Sequence, residues 1–179
     1  MVKIRKSNPL FDAVNFVFQA MATHKPDKDE SFYKPYKWIV EIKQDTITAT
    51  DSARLHHVKI KHWHGLKSGF YNVKRFSQNM FILSLSDNQS LYYPKYDFLF
   101  NKTYESNNCL VIKESWQLSI IVFKVASFTN TDVKCYNPDF FKPFIGDNWL
   151  AYIPANEMTF ATFVSEDKTK YAFIMPIKM

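Results

Sequence analysis

The chain has 179 residues, of which 46% are hydrophobic and 17% aromatic, and it carries a formal net charge of +6. This composition excludes general disorder, and no apolar run approaches the roughly 20 residues that a membrane-spanning helix needs. The positive charge weakly favours a polyanionic partner such as nucleic acid, and ordinary solubility would account for it equally well.

The amino-terminal segment is basic, but the polar residues Asp12, Asn15 and Gln19 follow it and no small-residue cleavage site is present. We therefore expect no secretory signal. Cys109 and Cys135 lack the spacing of a metal site, which favours free thiols in a reducing cytoplasm. The abundance of Lys, Asn, Phe and Tyr hints at an AT-rich genome, such as that of a phage.

The first third of the chain predicts a strand, a helix and three further strands. Asn8-Pro9 is typical of a helix start. The helix would run over residues 10–21, with a narrow polar stripe formed by Asp12, Asn15 and Gln19. The predicted strands are 1–6, 38–43, 46–51 and 54–61, with a hairpin turn at 44–45.

The middle of the chain, residues 69–128, shows no helical period, and its last strand is predicted from many β-branched residues. Asn137-Pro138 repeats the earlier helix start and predicts a short helix over 139–145, which Gly146 would end. The predicted strands of this part and of the remaining chain are 70–76, 80–86, 110–112, 118–126, 132–136, 149–153, 158–165 and 171–177.

A strand-helix-three-strand pattern therefore occurs twice, which predicts an α+β fold. We expect a single domain with three parts. They are unit one over about residues 1–61, an inserted β block over about 62–128, and unit two over about 129–179.

Three short segments carry the strongest functional signal. Residues 49–55 (ATDSARL) follow a predicted strand, residues 93–99 (YPKYDFL) lie in the middle of the chain, and residues 173–179 (FIMPIKM) end it. Together they resemble the β sliding clamp of bacterial DNA polymerase III, whose chains carry ATDGHRL-type, FPDYxxV-type and MPMRL-type segments in this order. The segment beginning at Tyr136 also resembles the FNPxYL-type helix start of that family.

The resemblance implies a DNA-clamp fold, with antiparallel sheets outside and helices inside. It implies a DNA polymerase processivity factor rather than an enzyme. Family chains have three domains and this chain is shorter, so several copies would close a ring by pairing edge strands. The implied partners are double-stranded DNA, bound without sequence preference, and peptides of DNA polymerase and clamp-loader proteins.

The resemblance also implies a hydrophobic groove that captures these peptides. Ser52 and Ala53 stand where the family signature has Gly and His, and a turn that needs a positive φ would be strained at Ser52. The implied groove residues are Thr50, Arg54, Leu55, Pro94, Leu99, Ile174 and Met175.

Ordinary core packing is an equally good interpretation of Leu55, Leu99 and Ile174. If the groove is correct, Met175→Ala and Leu55→Ala should both weaken peptide capture and leave the fold intact.

Family members grip DNA with cations on the helices, but the polar stripe of the first helix has none. DNA contacts would then come from flanking segments and one residue of the second helix, or from Lys59, Lys61, Lys74 and Arg75. The implied DNA-binding residues are Lys3, Arg5, Lys6, Lys25, Lys28 and Lys142.

Four histidines cluster at His56, His57, His62 and His64. His62 and His64 would share a strand face and could bind zinc together with His56 or a carboxylate such as Asp51. No third ligand stands at a recognised spacing, so histidines on a strand surface are the favoured interpretation, and we expect no metal or other cofactor. No catalytic motif is present, and a metal hydrolase is the more distant alternative. The closer alternative is a clamp-derived interaction module that binds replication partners without encircling DNA.

Overall fold

The computed structural model describes residues 1–22, 34–60, 65–90, 92–101, 109–129, 134–154 and 159–178. The chain divides into two compact units, Met1–Tyr93 and Pro94–Met179. The boundary between them falls inside the predicted block of residues 62–128. The three-part division remains a prediction.

The first unit combines an antiparallel sheet with the α-helix α1 (Phe11–Phe18). Its strands are β1 (Val2–Arg5), β2 (Ile39–Ile42), β3 (Thr46–Thr50), β4 (Arg54–Lys59), β5 (Gly69–Ser77) and β6 (Met80–Leu85). They lie in the order β1-β6-β5-β2-β3-β4. A 3-10 turn, Pro35–Trp38, precedes β2. The strands of this part of the chain are confirmed within one or two residues of the predicted bounds.

Helix α1 packs against β3, β4 and β6. The ring of Phe81 on β6 lies 5.3 Å from the ring of Phe11 and 5.2 Å from that of Phe18, between centroids. Ile4 on β1 is buried together with Phe81. Because neighbouring side chains of a strand point to opposite faces, these residues define the helix face of the sheet. The opposite side of β1, β6 and β5 is called the open face below.

The predicted cap of α1 at Asn8 is wrong, because the helix begins at Phe11 and its N-cap residue, Leu10, makes no side-chain cap bond. The helix is also shorter than predicted. The Asn8 side-chain oxygen accepts a hydrogen bond from the Leu10 backbone N–H at 2.8 Å. The backbone N–H groups of Ala20 and Met21 donate to the carbonyls three residues before them. The last turn is therefore of the tighter 3-10 type, and α1 ends at Phe18 instead of continuing to residue 21.

The second unit begins its described helices and strands with a 3-10 turn, Asp97–Asn101. Its strands are β7 (Cys109–Ile112), β8 (Lys134–Cys135), β9 (Trp149–Tyr152), β10 (Ala161–Ser165), β11 (Lys170–Ile174) and β12 (Ile177–Lys178). Strands β11-β10-β9-β7 are neighbours in this order, and β12 pairs with β8 in a separate antiparallel ladder.

The prediction of a strand over residues 118–126 is wrong. The segment is an α-helix, α2 (Leu118–Ser127), which packs against β7 and against the 3-10 helix Pro138–Phe144. Ile121 and Val125, four residues apart, are both buried, whereas Phe123 between them is exposed. A helix places residues i and i+4 on one face, and a strand would have placed all three together. Packing of this face outweighs the β preference of the branched side chains.

The Asn137 cap is confirmed, since its side-chain oxygen accepts a hydrogen bond from the Asp139 N–H at 3.0 Å. The following helix is of the 3-10 type over Pro138–Phe144, and Gly146 after it has a φ of +85°. The ring of Phe144, at the end of this 3-10 helix, stacks on the ring of Phe163 of β10 at 4.2 Å between centroids. Both residues are fully buried, so this aromatic contact belongs to the second unit's core.

The carboxyl-terminal strand is not continuous as predicted. β11 ends at Ile174, and after Met175 and Pro176 the chain continues as β12 against β8. Proline lacks the N–H that a ladder needs, so the chain leaves the first ladder at this point. None of the helices in the described ranges is long and apolar enough to cross a membrane.

Candidate functional site

The ATDSARL segment forms the turn between β3 and β4, and Asp51 organises it. One Asp51 carboxylate oxygen accepts from the backbone N–H groups of Ala53 at 3.0 Å and Arg54 at 2.9 Å. The Thr50 hydroxyl donates to the Arg54 carbonyl at 2.6 Å. The side chains of the signature therefore satisfy the turn's own backbone, as short polar residues do in tight turns.

The φ of Ser52 is +78°, the left-handed value at which we expected strain for a residue other than glycine. This left-handed conformation costs a non-glycine residue about 1 kcal/mol. The Ser52 hydroxyl shares a hydrogen bond of 2.9 Å with the Tyr36 hydroxyl, which offsets part of that cost.

The Arg54 side chain binds within the turn. Its Nε donates to the second Asp51 oxygen at 3.1 Å, and the two side chains are only 12% and 14% exposed. A shielded, charge-assisted bond of this kind is stronger than one on the open surface. The structure therefore gives Arg54 a structural role in the turn.

Thr50 and Leu55 face each other across the β3–β4 ladder, and both are buried. The first unit thus brings Thr50, Arg54 and Leu55 together, but as packed residues rather than as the wall of an open slot. Leu55→Ala would remove buried carbon, so we expect this variant to lower the stability of the fold.

In the second unit Leu99 and Ile174 are also buried, and Pro94 is half-buried. The segment that carries Leu99 packs against β11, because the ring of Phe100 lies 5.3 Å from that of Phe173 between centroids. Met175, at the break between β11 and β12, is 38% exposed. Of the proposed groove residues, Met175 is the one whose side chain is most open to a ligand.

The interpretation of His56 and His57 as surface histidines is wrong, because both are buried. His56 lies on the helix face, where its Nδ1 donates to the Phe16 carbonyl at 2.8 Å and its ring stacks on Phe16. His57 Nδ1 and the Thr48 hydroxyl are hydrogen-bonded at 2.8 Å. His62 and His64 lie outside the described residues.

Burial lowers the pKa of His56 to about 3, the nearby charge of Arg54 acts in the same direction, and the bond to the Phe16 carbonyl opposes them. His56 is therefore neutral at physiological pH. Within the described part of the chain, no three His, Cys, Asp or Glu side chains are grouped as a metal site.

The predicted DNA-contacting cations lie in different settings. Lys3 and Arg5 are exposed on β1 and alternate with buried Ile4, so they project from the open face, away from α1. Lys6 is exposed just after β1. Lys142 pairs with Asp139 at 2.6 Å, and both of these side chains are largely exposed. Lys25 and Lys28 lie outside the described residues.

The sequence analysis missed an apolar surface on α2. Ile120 is 40% exposed and Phe123 is 69% exposed, three residues apart on one side of the helix. The buried pair Ile121 and Val125, spaced by four, was the signal that could have revealed both the helix and this surface.

An open pocket of about 450 Å³ lies in the second unit. Its polar groups bind one another: Lys170 pairs with Asp147 at 3.1 Å, and the Asn148 amide donates to Glu166 at 3.1 Å. We assign it no ligand. It is lined by Glu114, Asp147, Asn148, Ser165, Glu166, Asp167 and Lys170.

No protein-family model and no curated protein sequence matches the chain. Solved structures of bacterial clamps do. The DNA polymerase III subunit beta of Pseudomonas aeruginosa is 13% identical to this chain, with a TM-score of 0.57. The match covers 99% of this chain and 66% of the Pseudomonas aeruginosa chain.

The DNA polymerase sliding clamp of Bacillus subtilis is 11% identical, with a TM-score of 0.55, 99% of this chain covered and 64% of its own. The Helicobacter pylori beta clamp bound to a DNA ligase peptide is 12% identical, with a TM-score of 0.57 and coverages of 99% and 66%. The chain thus spans just under two thirds of the length of these proteins. At such identities the likeness shows the fold, and the predicted α+β, DNA-clamp-like fold class is confirmed.

Proposed function

We propose that this chain is a sliding-clamp subunit, a processivity factor that tethers replication proteins to double-stranded DNA. The observation that carries the proposal is the likeness of 99% of the chain to the fold of bacterial beta clamps. The three sequence segments that resemble the clamp family add independent support. Such a subunit works by topology and needs no catalytic group, and replication would place it in the cytoplasm.

Encirclement requires several copies, and each unit offers an edge strand for pairing. β1 lies at one end of the first unit's strand order and pairs with β6. β7 lies at one end of the second unit's order and pairs with β9. An unpaired edge can add a strand from another chain. Head-to-tail pairing of β1 with β7 of the next copy would build a ring if the rotation closes.

The captured partner would be a short peptide of a DNA polymerase or clamp-loader protein. A clamp of this fold has been solved with a DNA ligase peptide bound, which supports peptide capture as the mode of binding. Met175 would contact the peptide directly, because it is exposed and its thioether side chain adapts to different shapes. Buried Leu55, Leu99 and Ile174 would give the groove its floor only after local rearrangement, and Thr50, Arg54 and Pro94 would support it.

The duplex would be held by phosphate contacts that are independent of sequence and sensitive to salt. Among the described residues, Lys6 and Lys142 are exposed and would make such contacts. Lys25 and Lys28, which are assigned from the sequence alone, would contribute as well. Lys3 and Arg5 would take part only where DNA reaches the open face.

A second candidate function is an interaction module that binds replication proteins without encircling DNA. The exposed Ile120 and Phe123 favour it, because an apolar helix surface suits a protein partner better than a phosphate backbone. Helix α1 supports the interaction module as well, because its exposed charged residue is Asp12, and a carboxylate repels DNA phosphates.

The solution mass at micromolar concentration, measured by light scattering, separates the two. A clamp subunit should give a closed oligomer of several chains with one defined mass. A monomer that still binds a polymerase-tail peptide would contradict the ring and favour the interaction module.

A further inference from the structure

The open face of the first unit carries charged side chains of one sign only. Strands β1, β5 and β6 together contain Lys3, Arg5, Lys74 and Arg75 and no Asp or Glu. Charges of one sign on three adjacent strands attract a polyanion and repel a second copy of the same surface.

The strand register places these cations in rows. Lys3 lies opposite Ile82, and Ile82 lies opposite Lys74 on the next strand. Since neighbouring strands are about 4.8 Å apart, Lys3 and Lys74 are about 10 Å apart with Ile82 between them. Arg5 begins the next row on the same face, about 7 Å from Lys3 along β1.

The cations of these rows are available to a ligand. Lys3, Arg5 and Lys74 are exposed, and none of them forms an ion pair within the described ranges. Arg75 differs, because its guanidinium lies 5.6 Å from the centre of the Phe81 ring. Three cations therefore remain for phosphate groups, and Arg75 serves the packing of the helix face.

Strand β5 also carries an exposed aromatic side chain, Phe76. The register between β5 and β6 shifts by one residue between Arg75 and Ser77, which leaves Phe76 as the extra residue of a β-bulge. Bulges re-aim side chains, and Phe76 is 63% exposed. Its ring is open for stacking, two residues after Lys74 on the same strand.

We propose that the open face binds single-stranded DNA, with Lys3, Arg5 and Lys74 contacting phosphates and Phe76 stacking on a base. Cations that follow the backbone and an exposed aromatic ring are the two features that single-strand binding surfaces share. In a duplex the bases already stack on one another, so Phe76 would add nothing to duplex binding. An acidic peptide would use the charges and leave the ring unused. The site requires neither a ring nor the peptide groove.

Binding of a fluorescent oligo(dT) to the full chain, followed by anisotropy at low salt, tests the proposal. Phe76→Ala should weaken single-strand binding about tenfold, the usual contribution of one stacked base. Lys3→Glu and Lys74→Glu should each weaken it by at least as much. Three phosphate contacts predict that the logarithm of affinity falls with the logarithm of salt concentration with a slope of about −2.

The matched controls are Phe98→Ala, which removes a phenylalanine of similar exposure from the second unit, and Lys113→Glu, which reverses an exposed lysine there. Both should bind like the unchanged protein. The proposal is overturned if a duplex of equal length binds as tightly as oligo(dT) and Phe76→Ala leaves both affinities unchanged. It is also overturned if Lys113→Glu weakens binding as much as Lys74→Glu, because the charge would then act without a defined site.

Discussion

The imidazole of His56 and the ring of Phe16 stack at 4.5 Å between centroids, and His56 Nδ1 donates to the Phe16 carbonyl at 2.8 Å. This pair joins β4 to α1 in the core of the first unit. Among the described residues, His56 Nε2 has no hydrogen-bond partner, so a proton added there would be a buried charge without compensation.

The His56 pair predicts a loss of stability in mild acid. The pKa of His56 is lowered to about 3 in the folded chain and is about 6.5 in the unfolded chain. Between these values the unfolded state binds more protons, so the free energy of unfolding falls by roughly 1 kcal/mol per pH unit as pH drops below 6.5. Urea denaturation between pH 4.5 and 7.5 measures this slope.

The control for this slope is His56→Asn, which keeps an N–H donor for the Phe16 carbonyl and cannot titrate. The variant should be less stable at neutral pH but lose less stability on acidification. Equal slopes for the two proteins would show that other groups cause the acid sensitivity.

Ser52 predicts a graded response to substitution, because its φ of +78° restricts which residues fit. Both Ser52→Asn and Ser52→Val remove the hydroxyl that meets Tyr36. Asn tolerates the left-handed conformation and a β-branched Val does not. We expect the free energy of unfolding of Ser52→Val to be lower than that of Ser52→Asn by about 1–2 kcal/mol. Equal stabilities by chemical denaturation would contradict the turn conformation.

The groove predicts different outcomes for an exposed and a buried residue. Met175→Ala should weaken capture of a polymerase-tail peptide about tenfold with little change in stability, because Met175 is partly exposed. Leu55→Ala should instead lower the free energy of unfolding by about 2–5 kcal/mol. Peptide titration and urea denaturation of both variants check this, with Val111→Ala as a surface control in the second unit. Unchanged peptide affinity of Met175→Ala would remove Met175 from the groove.

Helix α2 predicts which residues of its segment support the fold. Val125→Ala should cost about 1–3 kcal/mol, because Val125 is buried, whereas Phe123→Ala should cost less than about 0.5 kcal/mol. In a strand the two side chains would share a face and both changes would be costly. The free energies of unfolding of the two variants distinguish helix from strand.

The fold could be predicted from the sequence where local patterns match the final packing. Alternation in β2 to β6 and the cap at Asn137 are local features, and they predicted the ladders and the start of the 3-10 helix Pro138–Phe144. The segment of α2 failed because its β-branched residues favour a strand locally, and contacts distant in sequence decide otherwise.

The site was less predictable than the fold. Side-chain type could not reveal that His56 is covered by Phe16, because the two residues are forty positions apart in sequence. The same limit applies to Leu55, Leu99 and Ile174, whose burial depends on packing rather than on the motif. The rows on the open face needed the register of three strands, which sequence alone does not give.

Encirclement of DNA is the central claim, and retention on DNA of different topology tests it most directly. The protein should be assembled on a nicked circular plasmid, transferred to high salt, and separated by gel filtration before and after the plasmid is linearised. A clamp stays with the circle in high salt, because topology is not screened, and is lost once the DNA has ends. Equal loss from circular and linear DNA would contradict encirclement.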